Sequence, residues 1–150
     1  MNTKRISEIL SRDRRTRDAF RGVYPRDGLP TTATTDSLYV CNTDPSDRPG
    51  GHWVTIHFDR NKRAEYFDSF GLPPVFAEFE QFMNDNSKFW LHNKRVVQDV
   101  YSSACGHHCI FFAVHRCIGF DMGAISNMHT DNTDFNDDIA REFVYEKVLR

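Results

Sequence analysis

Several features that would place this chain in a membrane or a secretory pathway are missing from its 150 residues. The sequence has no apolar run of the roughly 20 residues that a membrane-spanning helix needs. Residues 1–5 lack the apolar segment of a signal peptide, so we expect an intracellular protein with no membrane association. Internal repeats and low-complexity segments are also missing, which argues against a solenoid or a disordered chain.

Cysteine and excess charge are scarce as well. The net charge of −2 provides no general attraction to nucleic acid or to a membrane surface. In the reducing compartment that we expect, the four cysteines are predicted to be thiols rather than two disulfides. Apolar residues are abundant: they make up 39% of the chain, and 13 residues are Phe. This length and composition predict one packed domain that spans residues 1–150.

Helical and strand patterns are segregated along the chain, which predicts an α+β domain with a small, mostly antiparallel sheet packed by helices. Apolar residues at helical spacing predict helices at residues 3–20, 73–84, 105–118, 121–128 and 136–149. Short apolar runs predict strands at residues 38–42, 52–58, 64–68, 89–92 and 95–97. The Pro- and Gly-containing segments at residues 22–30 and 43–51 predict loops.

Cys105 is the candidate nucleophile. It is followed directly by Gly106 and by a strongly apolar helical run, so its thiol is predicted to lie at the first turn of a helix. The positive end of the helix dipole lowers the pKa of a cysteine there and favours the reactive thiolate. Gly106 is expected to leave the backbone beside the thiol uncovered. Seven residues upstream, Gln98 offers a neutral amide N–H suited to a developing oxyanion.

A cysteine nucleophile needs a base and a group that orients the base, and His52 and Asp68 are the candidates. A hairpin centred on Asn61 brings them together. Its register aligns three pairs across the two strands, namely Phe58 with Ala64, Ile56 with Tyr66 and Val54 with Asp68. His52 is then the diagonal neighbour of Asp68, about 7–8 Å away at the backbone and within side-chain reach.

Each of these residues also has an ordinary explanation. A cysteine beside an apolar helix is usually a small core residue, and an aspartate before Ser-Phe-Gly is usually a turn former. Gln98 has the alternative role of tying its loop to backbone groups. A zinc site is a further alternative, because Cys105, His108 and Cys109 share one helical face. No paired CxxC or second Cys/His cluster completes a tetrahedral set of ligands.

Basic residues are concentrated at the start of the chain, where seven of the 19 lie within the first 21 positions. A solvated helix face is the ordinary interpretation of such a pattern. The alternative is a weak contact with a polyanion such as nucleic acid. The seven residues are Lys4, Arg5, Arg12, Arg14, Arg15, Arg17 and Arg21.

Motifs distributed over nearly the whole chain carry a resemblance to a known family. They lie at residues 20–27, 39–44, 51–54, 66–71, 98–106 and 136–137. The most specific are His52-Trp53, Asp68 before a Phe-Gly turn, and Gln98 seven residues before Cys105-Gly106. In these motifs the sequence resembles the adenovirus-type cysteine proteases (the adenain family), and most closely the proteases of Polinton/Maverick elements and related DNA viruses.

The resemblance implies a papain-like arrangement on an α+β fold of the adenain/ubiquitin-like-protease type. His52 is then the general base and acid, Asp68 orients it, and Cys105 is the nucleophile. Gln98 and the Cys105 backbone N–H form the oxyanion hole. The expected enzyme is a monomeric thiol endopeptidase without a metal or other cofactor. It processes polypeptide precursors of capsids or virion cores, cuts after small residues such as glycine, and works in the host cytoplasm or nucleus or inside the virion.

Two functional alternatives remain beside the endopeptidase. Isopeptidases that act on ubiquitin or SUMO-like modifiers share the same chain order of the four residues. A non-catalytic module that binds metal or nucleic acid through the Cys/His helix and the basic N-terminus belongs to a different class. The chain also departs from adenain at two positions. Asp68 replaces a glutamate, and Ser87 replaces the cysteine that binds an activating peptide. Activation through a disulfide-linked peptide is therefore not expected here, and neither is strong dependence on DNA.

Overall fold

A computed structural model describes residues 1–48 and 51–150, so Pro49 and Gly50 of the predicted loop 43–51 lie outside the described residues. The α-helices of the described part are α1 (Thr3–Arg12), α2 (Ala77–Asn86), α3 (Cys105–Cys117), α4 (Met122–Ser126) and α5 (Thr133–Phe143). The strands are β1 (Phe20–Pro25), β2 (Ser37–Asn42), β3 (Trp53–Phe58), β4 (Arg63–Phe67) and β5 (Phe89–His92). A 3₁₀ turn at Arg26–Gly28 follows β1, and a π-helical turn at Val144–Val148 extends α5. Within the described residues, every helix is too short or too polar to span a membrane.

The strands form one sheet in the order β1-β2-β3-β4-β5. The three central strands are antiparallel to one another, whereas each edge strand runs parallel to its neighbour. The predicted α+β class is therefore confirmed, and the sheet is mixed. Parallel pairing at the edges requires a connection that crosses over between strand ends. Residues 26–36 make that connection for β1 and β2, and a segment that includes α2 makes it for β4 and β5.

Helices cover both faces of the sheet, so every residue of β2 and β3 is buried. Helix α2 packs on one face through Phe79, Phe82 and Met83. Helices α1 and α3 pack on the other face around a cluster that includes Ile6 and Ile110. Each large apolar side chain buried in this way contributes about 1.5–3 kcal/mol. Because α3 is anchored along its length, its first residue has a fixed place at the end of the sheet.

The predicted first helix, residues 3–20, is too long. Helix α1 ends at Arg12, and the chain turns at Asp13, whose carboxylate accepts the backbone N–H of Arg15 at 2.8 Å. The buried Thr16 hydroxyl donates to the Leu10 carbonyl at 2.7 Å and closes the turn. Apolar spacing alone misses this end because the side chains that form the turn are polar. The predicted loop at residues 22–30 is wrong in its first part, because residues 22–25 belong to β1.

Three further boundaries differ from the predictions. Helix α2 begins at residue 77 rather than 73, and Pro74 disfavours helical backbone at residue 73, the predicted start. Residues 95–97 form no strand, and the N–H of Val97 donates instead to the Ser69 carbonyl at 2.9 Å. Helix α5 begins at residue 133, three residues early, where the Asn132 side chain accepts the N–H of Phe135 at 3.1 Å.

The predictions for α3 and the start of α4 are confirmed. Helix α3 runs from Cys105 to Cys117 and is followed by Gly119, whose φ of 110° is the left-handed conformation that ends many helices. The Asp121 side chain accepts the N–H of Ala124 at 2.8 Å and caps α4. Helix α4 then ends at Ser126, two residues before the predicted end.

Candidate active site

His52 and Asp68 meet at the open end of the β3–β4 hairpin. The observed register aligns Phe58 with Ala64 and Ile56 with Tyr66, as the sequence predicts, and the ladder ends at the pair Thr55 and Phe67. His52 immediately precedes β3, and Asp68 immediately follows β4. The two side chains converge there, with His52 Nε2 at 2.7 Å from Asp68 Oδ1.

Asp68 is held in place from several directions. Its Oδ1 also accepts the backbone N–H of Phe70 at 2.8 Å. The buried Asn93 side chain grips its backbone, because Asn93 Oδ1 accepts the Asp68 N–H at 2.8 Å and Asn93 Nδ2 donates to the Asp68 carbonyl at 2.7 Å. The Phe70 ring stacks on the His52 ring with centroids 4.6 Å apart. The carboxylate and the imidazole therefore have little freedom to separate.

Gly71 explains why the acidic residue precedes a Phe-Gly turn. Its N–H donates to the Asp68 carbonyl at 2.8 Å and closes the turn. Its φ is 69°, and a Cβ at this position would lie 2.8 Å from the backbone carbonyl carbon of Arg95. A side chain is therefore excluded both by the left-handed backbone and by the close approach of residues 94–95.

Cys105 is the first residue of α3, and no side chain caps this helix. The N–H groups of the first helical turn have no partner within the helix, so they can serve an anion. The Cys105 thiol lies close enough to the His52 ring, and to the backbone N–H groups of Trp53 and Gly106, for these groups to lower its pKa. Because Asp68 occupies Nε2 of His52, the ring nitrogen that faces the thiol is Nδ1.

The two partners have pKa values that favour an ion pair. Burial raises the pKa of Cys105, but the hydrogen bonds from His52 and Trp53 outweigh burial and hold that pKa below its ordinary value. Burial also lowers the pKa of His52, whereas its hydrogen bonds with Asp68 and Cys105 raise the pKa to about 9. Both shifts favour the ion pair of thiolate and imidazolium, which is the reactive form of a cysteine nucleophile.

Gln98 is almost completely buried. Its side chain binds Ser69, which follows Asp68, and Ser102, which lies three residues before Cys105. Its Oε1 accepts the hydroxyl of Ser69, the residue after Asp68. Its Nε2 donates to the Ser102 carbonyl at 3.0 Å and to the Ser102 hydroxyl at 3.2 Å. That hydroxyl in turn accepts the N–H of Ala104, the residue that precedes α3. The Gln98 amide thus reaches the start of α3, and it also ties its own loop together, as the alternative interpretation expects.

A cleft of about 650 Å³ opens beside Cys105. Its walls include Tyr24 from β1, Asn42 at the end of β2, and Trp53 at the start of β3. Ser103 lines it next to the thiol, and residues 1–3 line it near the start of α1. This volume lies within the roughly 300–1,000 Å³ of ordinary ligand sites and gives the thiol access to a substrate.

The expectation that Gly106 leaves the backbone uncovered is wrong. Gly106 is buried, and a Cβ there would lie 3.2 Å from the Met1 side chain and 3.4 Å from the Ile6 side chain. The small residue allows α1 to approach the start of α3 closely. It therefore contributes to the site by fixing the helix that carries Cys105.

The structure does not assemble the zinc ligands of the alternative interpretation. Cys109 is buried, and burial raises the pKa of its thiol. The His108 Nε2 is engaged by Asp137 at 2.8 Å. Among residues 1–48 and 51–150, the cluster with metal-like spacing consists of three carboxylates and contains neither thiol nor imidazole. All four cysteines are free thiols.

The sequence motifs point to His52, Asp68, Gln98 and Cys105 as the candidate residues, but they do not indicate the residues that hold them in place. The sequence around Asn93 does not indicate that its side chain binds the backbone of Asp68, because the two residues are 25 positions apart. Ser69 and Phe70 were visible only as parts of the motif around the Phe-Gly turn. Asn136 and Asp137 appeared in the family resemblance without an assigned role, although both are buried and contact the Gln98 loop.

Comparisons with known proteins identify structural neighbours. No protein-family model matches the sequence, and no curated protein matches it. Over 67% of its length the chain is similar to ASFV pS273R protease, with 23% identity and a TM-score of 0.47 in a crystal structure of the selenomethionine protein. A second crystal structure of that protease gives 25% identity and a TM-score of 0.48, again over 67% of this chain. The matches span 41% and 39% of those two chains.

The central domain of the uncharacterized Lpg1148 protein from Legionella pneumophila matches over a larger share of both chains. The similarity covers 99% of this chain and 96% of that domain, with a TM-score of 0.53 and 13% identity. At this level of identity the similarity shows that the two chains share a fold.

Proposed function

We propose that this chain is a cysteine endopeptidase in which Cys105 is the nucleophile, His52 is the general acid and base, and Asp68 orients His52. One observation carries the proposal: the His52 ring is bonded to the Asp68 carboxylate at 2.7 Å and lies near enough to the Cys105 thiol, at the start of a helix, for each to shift the pKa of the other. The raised pKa of His52 and the lowered pKa of Cys105 follow from that contact. A cysteine that only fills the core has no need of a charged partner held in this way.

The geometry supports a two-step hydrolysis. The Cys105 thiolate attacks the carbonyl carbon of a peptide bond, and the electron pair of the carbonyl moves to its oxygen. As the C–N bond breaks, His52 donates its Nδ1 proton to the leaving amine, and a thioester remains on Cys105. His52, now neutral, takes a proton from a water molecule that attacks the thioester. The C–S bond then breaks, and the thiolate–imidazolium pair is restored.

The oxygen that becomes negative in each step needs hydrogen-bond donors. The N–H of Cys105 at the start of α3 is proposed as one donor and the Gln98 amide as the second. In the free protein, Gln98 Nε2 donates one N–H to the Ser102 carbonyl and the other to the Ser102 hydroxyl. A hydroxyl can rotate away or exchange partners, so the second N–H can turn to the substrate oxygen.

The substrate class is proposed from the family resemblance. The motifs around His52, Asp68, Gln98 and Cys105 favour an adenain-type protease of a DNA virus or a Polinton-like element. Its substrates would be capsid or core precursors cut after glycine-type residues, and it would act as a monomer in the host cytoplasm or nucleus or inside the virion. A weak nucleic-acid contact through the basic N-terminus, residues 4–21, remains part of this proposal.

A substrate panel tests the proposal. The purified protein and its Cys105→Ala variant are incubated with a capsid-type precursor, a ubiquitin fluorogenic conjugate and a SUMO fluorogenic conjugate. We expect the precursor to be cut at defined positions by the parent protein and to stay intact with the variant. If the protein turns over only the ubiquitin or SUMO conjugate, the assigned activity changes from endopeptidase to isopeptidase. A lack of cleavage together with stoichiometric bound metal would overturn the enzyme assignment.

A further inference from the structure

Two adjacent residues of α5, Asn136 and Asp137, are buried beside the candidate site without a role in the chemistry above. Only 1% of Asn136 and 2% of Asp137 is exposed. A buried carboxylate is costly unless it is hydrogen-bonded, so its partners indicate what it does for the fold. Both residues direct their side chains toward the segment that contains Gln98.

Asp137 joins the two halves of the site. Its Oδ1 accepts the Nε2–H of His108 at 2.8 Å, and its Oδ2 accepts the backbone N–H of Asp99 at 3.3 Å. His108 lies on α3, three residues after Cys105, and Asp99 directly follows Gln98. One carboxylate therefore connects the helix that carries the nucleophile to the loop that carries the amide donor.

Asn136 holds the same loop on the other side of Gln98. Its Nδ2 donates to the Val97 carbonyl at 3.1 Å and to the Thr130 carbonyl at 2.8 Å. Its Oδ1 accepts the Thr130 N–H at 2.8 Å, which fixes the amide in one orientation. Asn136 therefore binds the backbone carbonyl of Val97, and Asp137 binds the backbone N–H of Asp99, so that the backbone on both sides of Gln98 is held by α5.

We propose that Asp137, supported by Asn136 and His108, is a positioning residue that sets the distance between the Gln98 amide and the Cys105 thiol. This inference rests on the proposed function. The Ser69 contacts tie Gln98 to the Asp68 turn, whereas Asp137 ties the Gln98 loop to the start of α3. Without that tie, the bonds of Gln98 to Ser69 and Ser102 remain, but its position relative to Cys105 is less firmly fixed. A displacement of about 1 Å in such a donor can reduce turnover by about 10²-fold.

The state of His108 makes the role of Asp137 testable with a conservative variant. Burial lowers the pKa of His108 despite its bond to Asp137, so the ring is neutral and its proton lies on Nε2. Within the described residues, its Nδ1 has no hydrogen-bond partner. In Asp137→Asn the proton can move to Nδ1 without breaking any bond, and Nε2 can accept from the new amide. The amide oxygen still accepts the Asp99 N–H, so the connection survives.

The experiment compares Asp137→Ala, Asp137→Asn and the control Glu65→Ala. The control removes another His–carboxylate pair, in which Glu65 lies 2.9 Å from His57 Nδ1 and also binds Arg116. Neither partner of that pair contacts the Gln98 loop. For each protein we measure kcat per titrated Cys105, KM, the rate of Cys105 alkylation by iodoacetamide, and amide hydrogen exchange over residues 97–99.

We expect Asp137→Ala to lower kcat per titrated thiol by about 10–100-fold, with KM and the alkylation rate within about two-fold of the parent. Hydrogen exchange at residues 97–99 should accelerate in this variant alone. Asp137→Asn should recover most of kcat, and Glu65→Ala should lower stability while leaving kcat per titrated thiol unchanged.

Parental kcat per titrated thiol in Asp137→Ala would overturn the positioning role and leave the proposed function intact. An equal loss in Glu65→Ala would also overturn it, because the effect would then be general destabilisation. If the parent protein shows no Cys105-dependent cleavage, the proposed function fails first. In that case unchanged hydrogen exchange at residues 97–99 in Asp137→Ala would show separately that the connection itself is wrong.

Discussion

The charge of Asp68 should determine the alkaline limit of activity through the pKa of His52. That pKa is raised from 6.5 to about 9, against the effect of burial, by contacts in which Asp68 comes first. This rise corresponds to roughly 3 kcal/mol. Asp68→Asn keeps an oxygen that can accept from His52 Nε2 and the Phe70 N–H, and it removes only the negative charge.

The sign of the expected change follows from which form of His52 is active. The imidazolium donates the proton to the leaving amine, so kcat/KM falls as the pH rises through the pKa of His52. In Asp68→Asn that pKa should fall by at least about one unit, which corresponds to about 1.4 kcal/mol, and the alkaline limb should move to lower pH by the same amount. The thiolate loses part of its partner's charge, so the pH midpoint for Cys105 alkylation should rise.

The assay is the pH dependence of kcat/KM and, separately, of the alkylation rate, from about pH 5 to pH 10. Glu65→Gln is the matched control, because Glu65 holds His57 in a similar pair away from Cys105. It should leave both profiles unchanged. An Asp68→Asn profile that superimposes on the parent at reduced amplitude would refute the electrostatic role and leave Asp68 with orientation alone.

Three other predictions concern individual positions. Cys105 should be alkylated fastest of the four cysteines near neutral pH, because burial raises the pKa of the other three, to about 11 for Cys117; equal rates would contradict the assignment. Gln98→Ala should lower kcat by about 10²–10³-fold with the alkylation rate unchanged, whereas a lower Tm with parental turnover would leave Gln98 a purely structural role. Gly71→Ala should cost more than the roughly 1–2 kcal/mol of left-handed backbone, because its Cβ would also meet the Arg95 backbone at 2.8 Å. Gly119 has open space around its Cβ position, so Gly119→Ala should lower stability only by the cost of the left-handed backbone. Equal losses of Tm in the two variants would contradict the packing argument.

The core of the candidate site could be predicted because it depends on short-range patterns. Strand alternation and a polar turn support a hairpin centred on Asn61, and the register assumed for that hairpin, which the structure shows, places His52 near Asp68. The apolar run after Cys105 is enough to place the thiol at the start of α3. Both inferences use side-chain periodicity, which sequence displays directly.

The features that could not be predicted depend on contacts between distant segments. Nothing around Asn93 indicates that its amide grips Asp68, because the pairing appears only when β5 lies beside β4. The parallel edge strands are set by how the connections cross the sheet, and apolar spacing carries no information about strand direction. The link from Asp137 to the Gln98 loop likewise requires α5 to be docked on α3.

The most direct test of the proposed mechanism is to trap the thioester on Cys105. The protein is mixed with a cleavable precursor, quenched in acid within seconds, and its mass and peptide map are determined. The mechanism predicts an added mass equal to that of the N-terminal cleavage product less one water, located on Cys105, released by hydroxylamine and missing in Cys105→Ala. Precursor cleavage that persists in Cys105→Ala, or an adduct on Cys109 instead, would contradict it.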